Sequence, residues 1–183
     1  MIIAATIFMV LFGISVLIDG VYFHDYKYKL YRDKESILEH IIHTFRAAAF
    51  PIVVYCLFQN DFGGWLMMVG VMVACIDIVL LAIDVRIEGC SRNRYGGLSH
   101  GEYATHLFSN TCHYLSIALI LAAKPEAAWT FTQSFELMRP YPAITVWLGS
   151  AFVTGGTIAA VLHFWQWSQF FSNNKPNILK DGY

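Results

Sequence analysis

Long apolar runs, broken near their ends by histidines and carboxylates, dominate this chain. Five such runs can be marked, at 2–22, 36–58, 63–87, 100–123 and 143–171. Each is about 20 residues or more, enough to cross about 30 Å of hydrocarbon at about 1.5 Å per residue. A bilayer offers no water to stray amides, so the pattern predicts helices. Asn60-Asp61 and Gly63-Gly64 predict a tight turn between the second and third. Pro51 falls inside the second run, where a membrane helix bends rather than ends. The first run has no basic residues before it and no small-residue cleavage pattern after it, so it reads as a retained helix rather than a signal peptide. There is no internal repeat, low-complexity tract or linker. The expectation is a single all-α domain over 1–183, an integral membrane bundle of five transmembrane helices.

Composition agrees. Of 183 residues, 57% are hydrophobic and 14% charged, against about 25% charged in an average soluble domain. A net charge of −1 with no basic patch gives no basis for a nucleic-acid partner. Cys56, Cys75, Cys90 and Cys112 form no CxxC pair and read as small buried hydrophobes. Lys27, Lys29, Arg32, Lys34, Arg86, Arg92, Arg94, Lys175 and Lys180 fall at one end of the predicted bundle, Lys124 and Arg139 at the other. The positive-inside rule makes the first end cytoplasmic, with the N-terminus outside and the C-terminus cytoplasmic, as in a bacterial inner membrane. The loop from Lys124 to Tyr141, with Trp129, Phe131, Phe135, Leu137 and Met138, reads as an amphipathic stretch in the outer interface. Trp65, Trp129 and Trp147 suit an aromatic belt on that side, and Trp165 and Trp167 one on the other.

The polar residues inside these runs change the picture from a plain bundle to a candidate site. Six of the seven histidines fall toward the cytoplasmic end. Ionisable groups at membrane depth are expensive and must face one another or a wet cavity. Asp77, Asp84 and Glu88 are spaced seven and four apart, Glu102, His106 and His113 four and seven, and Glu39 and His43 four, so each set shares a helix face. The candidate metal ligands are Asp19, His24, Glu39, His40, His43, Asp84, Glu88, His100, Glu102 and His106, with His163 at a similar depth. Arg46, Asp77 and His113 lie deeper and form a candidate catalytic group, with Arg46 neutralising Asp77 and the three tuning the centre or relaying protons. Each also has a plainer reading: His100 as a surface residue, His163 as an interfacial one, His113 as a hydrogen-bonded core residue.

In ligand type this constellation resembles the di-iron carboxylate bundles, whose Glu and His side chains project into a helical core. Their Glu-x-x-His spacing is three, whereas Glu39/His43 and Glu102/His106 are four apart. The histidine boxes of membrane desaturases and hydroxylases, HxxxH and HxxHH, are absent. One zinc needs about three ligands and an open position, so the surplus favours two metals. The leading expectation is therefore a metal-dependent, di-iron membrane oxidoreductase. It would take a lipid or other apolar substrate from the cytoplasmic leaflet and use an electron donor as partner. Alternatives are a zinc-dependent intramembrane hydrolase and a haem electron carrier using His43 and His106, which the dense carboxylates would crowd. A metal transporter is opposed by the lack of a polar path through the outer half. A structural subunit of an oligomer or larger membrane complex also remains, with Gly149/Ala151 and Gly155/Gly156 as helix contacts. The loop from Arg86 to Gly101, with Arg92, Arg94, Gly89, Gly96 and Gly97, reads as a flexible basic rim for a phosphate or carboxylate head group. Tyr26, Tyr28 and Tyr31 are expected along the interface.

Overall fold

The computed structural model describes residues 1–131 and 139–173. They form α1 (Ile2–Leu17), α2 (Ile37–Phe58), α3 (Gly64–Ser91), α4 (His100–Ala122) and α5 (Ala143–Asn173). Among the described residues the fold is all-helical, with four segments long and apolar enough to cross a membrane: Ile2–Tyr28, Ile37–Phe58, Gly64–Ser91 and Ala143–Asn173. The fourth expected span, α4, has 23 residues but is not among them. It carries His100, Glu102, His106, Asn110 and His113, which lower its hydropathy. The first helix also runs past its expected end at residue 22. After Leu17 it widens without a break into a π-helical segment, Ile18–Tyr28, and stops at Lys29, whose φ of 53° is left-handed.

Helix α2 is the axis of the bundle, packed by α5 and α3, while α1 lies along α4 and touches α5. Glycines let neighbouring helices approach. A Cβ on Gly70 would stand 2.7 Å from the Cβ of Cys56, and one on Gly156 would stand 2.9 Å from the Phe50 ring. Gly149 likewise meets Phe58 and Gln59, so Gly149 and Gly156 serve contacts within the chain, while Gly155 faces open space. The apolar core, including Ala5, Met9, Val53, Leu57, Phe58, Met67 and Ile120, fills one end of the bundle. That leaves the other end to the polar residues.

The apolar end closes on a buried ion cluster. Asp61 accepts from Lys124 Nζ (3.0 Å), Arg139 Nε (2.8 Å) and Tyr141 OH (3.1 Å). Lys124 also donates to the Phe62 carbonyl at 2.9 Å. The α2–α3 turn is thereby tied to the segment after α4. Burial pulls Lys124 below the ordinary lysine range. Burial and the Asp61 charge push the Tyr141 phenol up. Of the interfacial loop, Glu126–Trp129 is a single 3₁₀ turn and Phe131 is exposed; Phe135, Leu137 and Met138 lie outside the described residues, as do Lys175 and Lys180. Only two cysteines are buried, Cys56 and Cys112. Cys75 and Cys90 are exposed, because they fall on the outer face of α3.

Candidate metal centre

The π-helical segment decides what the first helix contributes. Asp19 and His24 are five residues apart, which in an α-helix would turn them about 140° from each other. In π geometry the hydrogen bond runs from i to i+5, so residues five apart stand one turn above the other. Both side chains therefore face the bundle interior, with His24 Nε2 3.6 Å from Asp19 Oδ1. His24 is only 2% exposed, and its Nε2 has no hydrogen-bond partner. A buried imidazole nitrogen left unpaired is a costly arrangement, by about 1–3 kcal/mol, and it invites a ligand.

The other helices bring their groups to this nitrogen. The His24 ring lies 4.5 Å from that of His43 on α2 and 5.8 Å from that of His106 on α4, centroid to centroid. Two sets of three ligand atoms result, each within 4.8 Å of one another: Asp19, His24 and His106, and His24, Glu39 and His43. The two sets share His24. Helix α3 supplies the outer partners. His43 Nε2 lies 3.1 and 3.0 Å from the Asp84 oxygens. His106 Nδ1 lies 3.0 Å from Glu88 Oε2 while its Nε2 lies 3.0 Å from Asp19 Oδ1. A ring with a carboxylate at each nitrogen is satisfied as an imidazolium, or with a cation between Nε2 and Asp19 and the Nδ1–H donating to Glu88.

Charge balance points the same way. Asp19, Glu39, Asp77, Asp84, Glu88 and Glu102 gather here, and the guanidinium groups that meet them are those of Arg46 and Arg92. Arg46 donates from Nε to Asp77 Oδ1 (3.0 Å), from Nη1 to Asp84 Oδ2 (3.3 Å) and from Nη2 to Asn110 Oδ1 (3.0 Å). Tyr114 OH donates to Asp77 Oδ2 at 2.7 Å, and His113 Nε2 is 3.4 Å from the same oxygen. Arg46, Asp77 and His113 thus form one network, joined to His43 through Asp84.

Arg92 departs most from the sequence reading. Expected on a flexible basic rim, it is wholly buried, because two glutamates reach it from different helices. It donates to Glu39 Oε2 (2.8 Å) and Oε1 (3.0 Å), and to Glu102 Oε1 from Nε (2.9 Å) and Nη2 (2.6 Å). Tyr28, expected along the interface, is buried and lays its ring 4.7 Å from the Arg92 guanidinium. Ser91 and Ser36 extend the network, and Ser36 Oγ donates to Asp33 at 2.9 Å. Arg86 and Arg94 do stay exposed, Arg94 pairing with Asp33 at 3.0 Å.

Glu39 belongs both to a ligand set and to the Arg92 clamp, whereas Glu102 belongs to the clamp. Asp84 and Glu88 stand behind His43 and His106. His40 is buried on another face of α2 and stacks on His163 at 4.8 Å, outside both ligand sets. His100 is exposed at the first residue of α4, away from the cluster. Sequence reasoning missed Asn110, Tyr114 and the contact of Tyr28 with Arg92. Only Tyr114 carried a signal, since it sits next to His113 on a helix already marked as polar. Compared with known proteins, the chain matches no family model, no curated protein and no solved structure.

Proposed function

We propose that this chain is an integral membrane protein whose helices hold metal ions at the shared-histidine cluster, and that it acts as a metal-dependent oxidoreductase on a lipid or other apolar substrate. The observation that carries the metal reading is the buried, unpartnered Nε2 of His24 at the junction of two ligand sets. Six carboxylates facing two guanidinium groups leave an excess of negative charge that two divalent cations would offset. Mixed imidazole and carboxylate donors suit first-row metals such as iron, manganese and zinc. Iron, as two ions per chain, is the ion we favour, because the supply of ligands exceeds what one zinc needs. Redox chemistry is what such a pair would supply. The chain's own groups position it: Asp84 and Glu88 orient the histidines, and Arg46, Asp77, Tyr114 and His113 form a hydrogen-bonded extension toward the middle of the bundle.

A bis-histidine haem fits less well. The His24 imidazole stands beside both His43 and His106, so a porphyrin between them would displace it. A zinc hydrolase remains the second reading, since Asp19, His24 and His106 by themselves are the three-ligand set of a catalytic zinc. The proposed setting is a five-span bundle in a bacterial inner membrane, with the cluster on the cytoplasmic side. Its support is the asymmetry of Lys and Arg between the two ends of the bundle.

The test is metal analysis with an absorption spectrum on the purified protein in detergent. About two irons per chain without a haem band, lost together in His24→Ala, is the expected result. One zinc per chain in colourless protein would move the reading to the hydrolase. Metal content near zero, or unchanged by His24→Ala, would overturn it.

A further inference from the structure

A second group of unsatisfied polar atoms lies apart from both ligand sets, where the last part of α5 meets the start of α2. His163, Gln166 and Trp167 follow i, i+3 and i+4, so they share one face of α5, and that face is the half-buried one. His163 Nδ1, Gln166 Oε1 and Trp167 Nε1 are each buried without a hydrogen-bond partner. His40, on α2, stacks its ring on His163 with centroids 4.8 Å apart and planes 22° apart. It is 1% exposed, and its Nε2 is also unpartnered. Gln166 Nε2 donates to Asp25 Oδ1 at 3.4 Å, which sets which end of the amide is free. The large majority of buried polar groups in a native fold are paired, and each orphan costs about 1–3 kcal/mol. Four on two touching helices mark the place of a missing partner.

The four atoms define that partner's chemistry. Trp167 Nε1–H only donates, Gln166 Oε1 only accepts, and a neutral imidazole does one at each nitrogen. The partner must therefore offer both donors and acceptors. None of the four groups carries a formal charge, which disfavours a phosphate or carboxylate. Two imidazoles beside an indole N–H make a poor metal site, since an indole nitrogen ligates nothing. The surroundings are aromatic: Tyr31 lies 6.1 Å from His40, and Phe164 lies 4.9 Å from Trp167, ring to ring. Val161, Leu162, Phe164 and Trp165 on the outer face of α5 are exposed and apolar, so an apolar ligand would meet a like surface beside the corner.

We propose that this corner binds the head group of a membrane-soluble hydroquinone: a neutral ring whose hydroxyls accept from Trp167, donate to Gln166 and meet the two imidazoles. Binding stands on these atoms alone. A role as the electron donor of the metal centre would rest on the metal reading as well. That role fits the three residues, about 4.5 Å of helix rise, between His40 and His43.

The test uses the full chain in nanodiscs, titrated with a short-chain benzoquinol and its quinone while tryptophan fluorescence is followed. Saturable quenching by the quinol is expected, with weaker binding of the quinone, which offers Gln166 no donor. The quenching should disappear in Trp167→Phe, persist in Trp165→Phe, and shift to about tenfold weaker binding in His163→Ala and Gln166→Leu, one lost hydrogen bond each. Helical content by circular dichroism guards against misfolded variants. Protein stripped of metal should bind equally well, which keeps failure of the metal reading separate from failure of this one. Non-saturable quenching, an equal response to an alkylbenzene without oxygens, or saturable quenching unchanged in Trp167→Phe would overturn the proposal. In each of these cases the corner holds ordered water only.

Discussion

Both terminal nitrogens of Arg92 bond to the carboxylate of Glu39, at 2.8 and 3.0 Å, with neither side chain open to solvent. The loop before α4 is thereby pinned to the first turn of α2. Removing one partner of a buried ion pair leaves an uncompensated charge, at about 3–5 kcal/mol. Arg92→Met strands two carboxylates, Glu39 and Glu102, so its effect belongs at the upper end of that range. Arg92→Lys keeps the charge but loses the bidentate fork, and is expected to fall between the wild type and Arg92→Met. Thermal unfolding in detergent checks the order of the three. Equal stability for all three would mean that the clamp contributes nothing.

How far this arrangement was legible follows from what spacing can encode. The helices could be read from apolar run length, and the stripes on α2, α3 and α4 from intervals of four and seven, because an α-helix converts those intervals into a face. Asp19 and His24 could not be aligned that way. Their interval of five makes a face only in π geometry, and nothing in Ile18–Tyr28 announces that geometry. Arg92 was misplaced for a different reason. A loop arginine counts toward membrane orientation by its position, but its burial is decided by Glu39 and Glu102, which reach it from 53 and 10 residues away in sequence. Partner choice at that separation is a tertiary fact. The same limit put Lys124 among the charges of an interfacial loop, when it is buried on Asp61.

The shared histidine makes the metal stoichiometry of variants specific. His43 belongs to one ligand set and His106 to the other, while His24 belongs to both. His43→Ala and His106→Ala are each expected to lose about half the bound metal, and His24→Ala nearly all of it, if two ions bind as the two sets imply. His100→Ala, at an exposed position, is expected to retain the full amount. Elemental analysis of the four proteins side by side reads this out directly. Equal loss from His43→Ala and His24→Ala would collapse the two positions into one.

The end of the π-helical segment can be probed without touching the cluster. Lys29 adopts φ 53° and ψ 50°, the left-handed region, which costs an L-residue with a Cβ roughly 1–2 kcal/mol. Lys29→Gly removes that strain and is expected to stabilise the protein by up to about 1 kcal/mol. Lys29→Val, β-branched, is expected to destabilise it. Matched thermal melts decide this. A stabilising Lys29→Val would show that the turn relaxes to another conformation.

At the opposite end of the bundle, Asp61 holds Lys124, Arg139 and Tyr141 at once. Asp61→Asn leaves the buried Lys124 ammonium without its counter-charge and should destabilise by about 3–5 kcal/mol. Tyr141 gives the corner a pH signature. Its phenol is held above the ordinary tyrosine range by burial and by the Asp61 charge. As pH rises past about 10, the unfolded chain loses this proton while the folded chain keeps it. The folded state then binds more protons, and stability falls with rising pH. In Tyr141→Phe this component is absent. The variant is expected to be less stable than the wild type by about 1.5–3 kcal/mol near pH 8, the value of a hydrogen bond to a charged group. The gap should narrow as pH rises through 10 to 11. Melting curves of both proteins across that range test the sign: a constant gap would mean that Tyr141 ionises as readily in the fold as outside it, and a widening gap that it ionises more readily there.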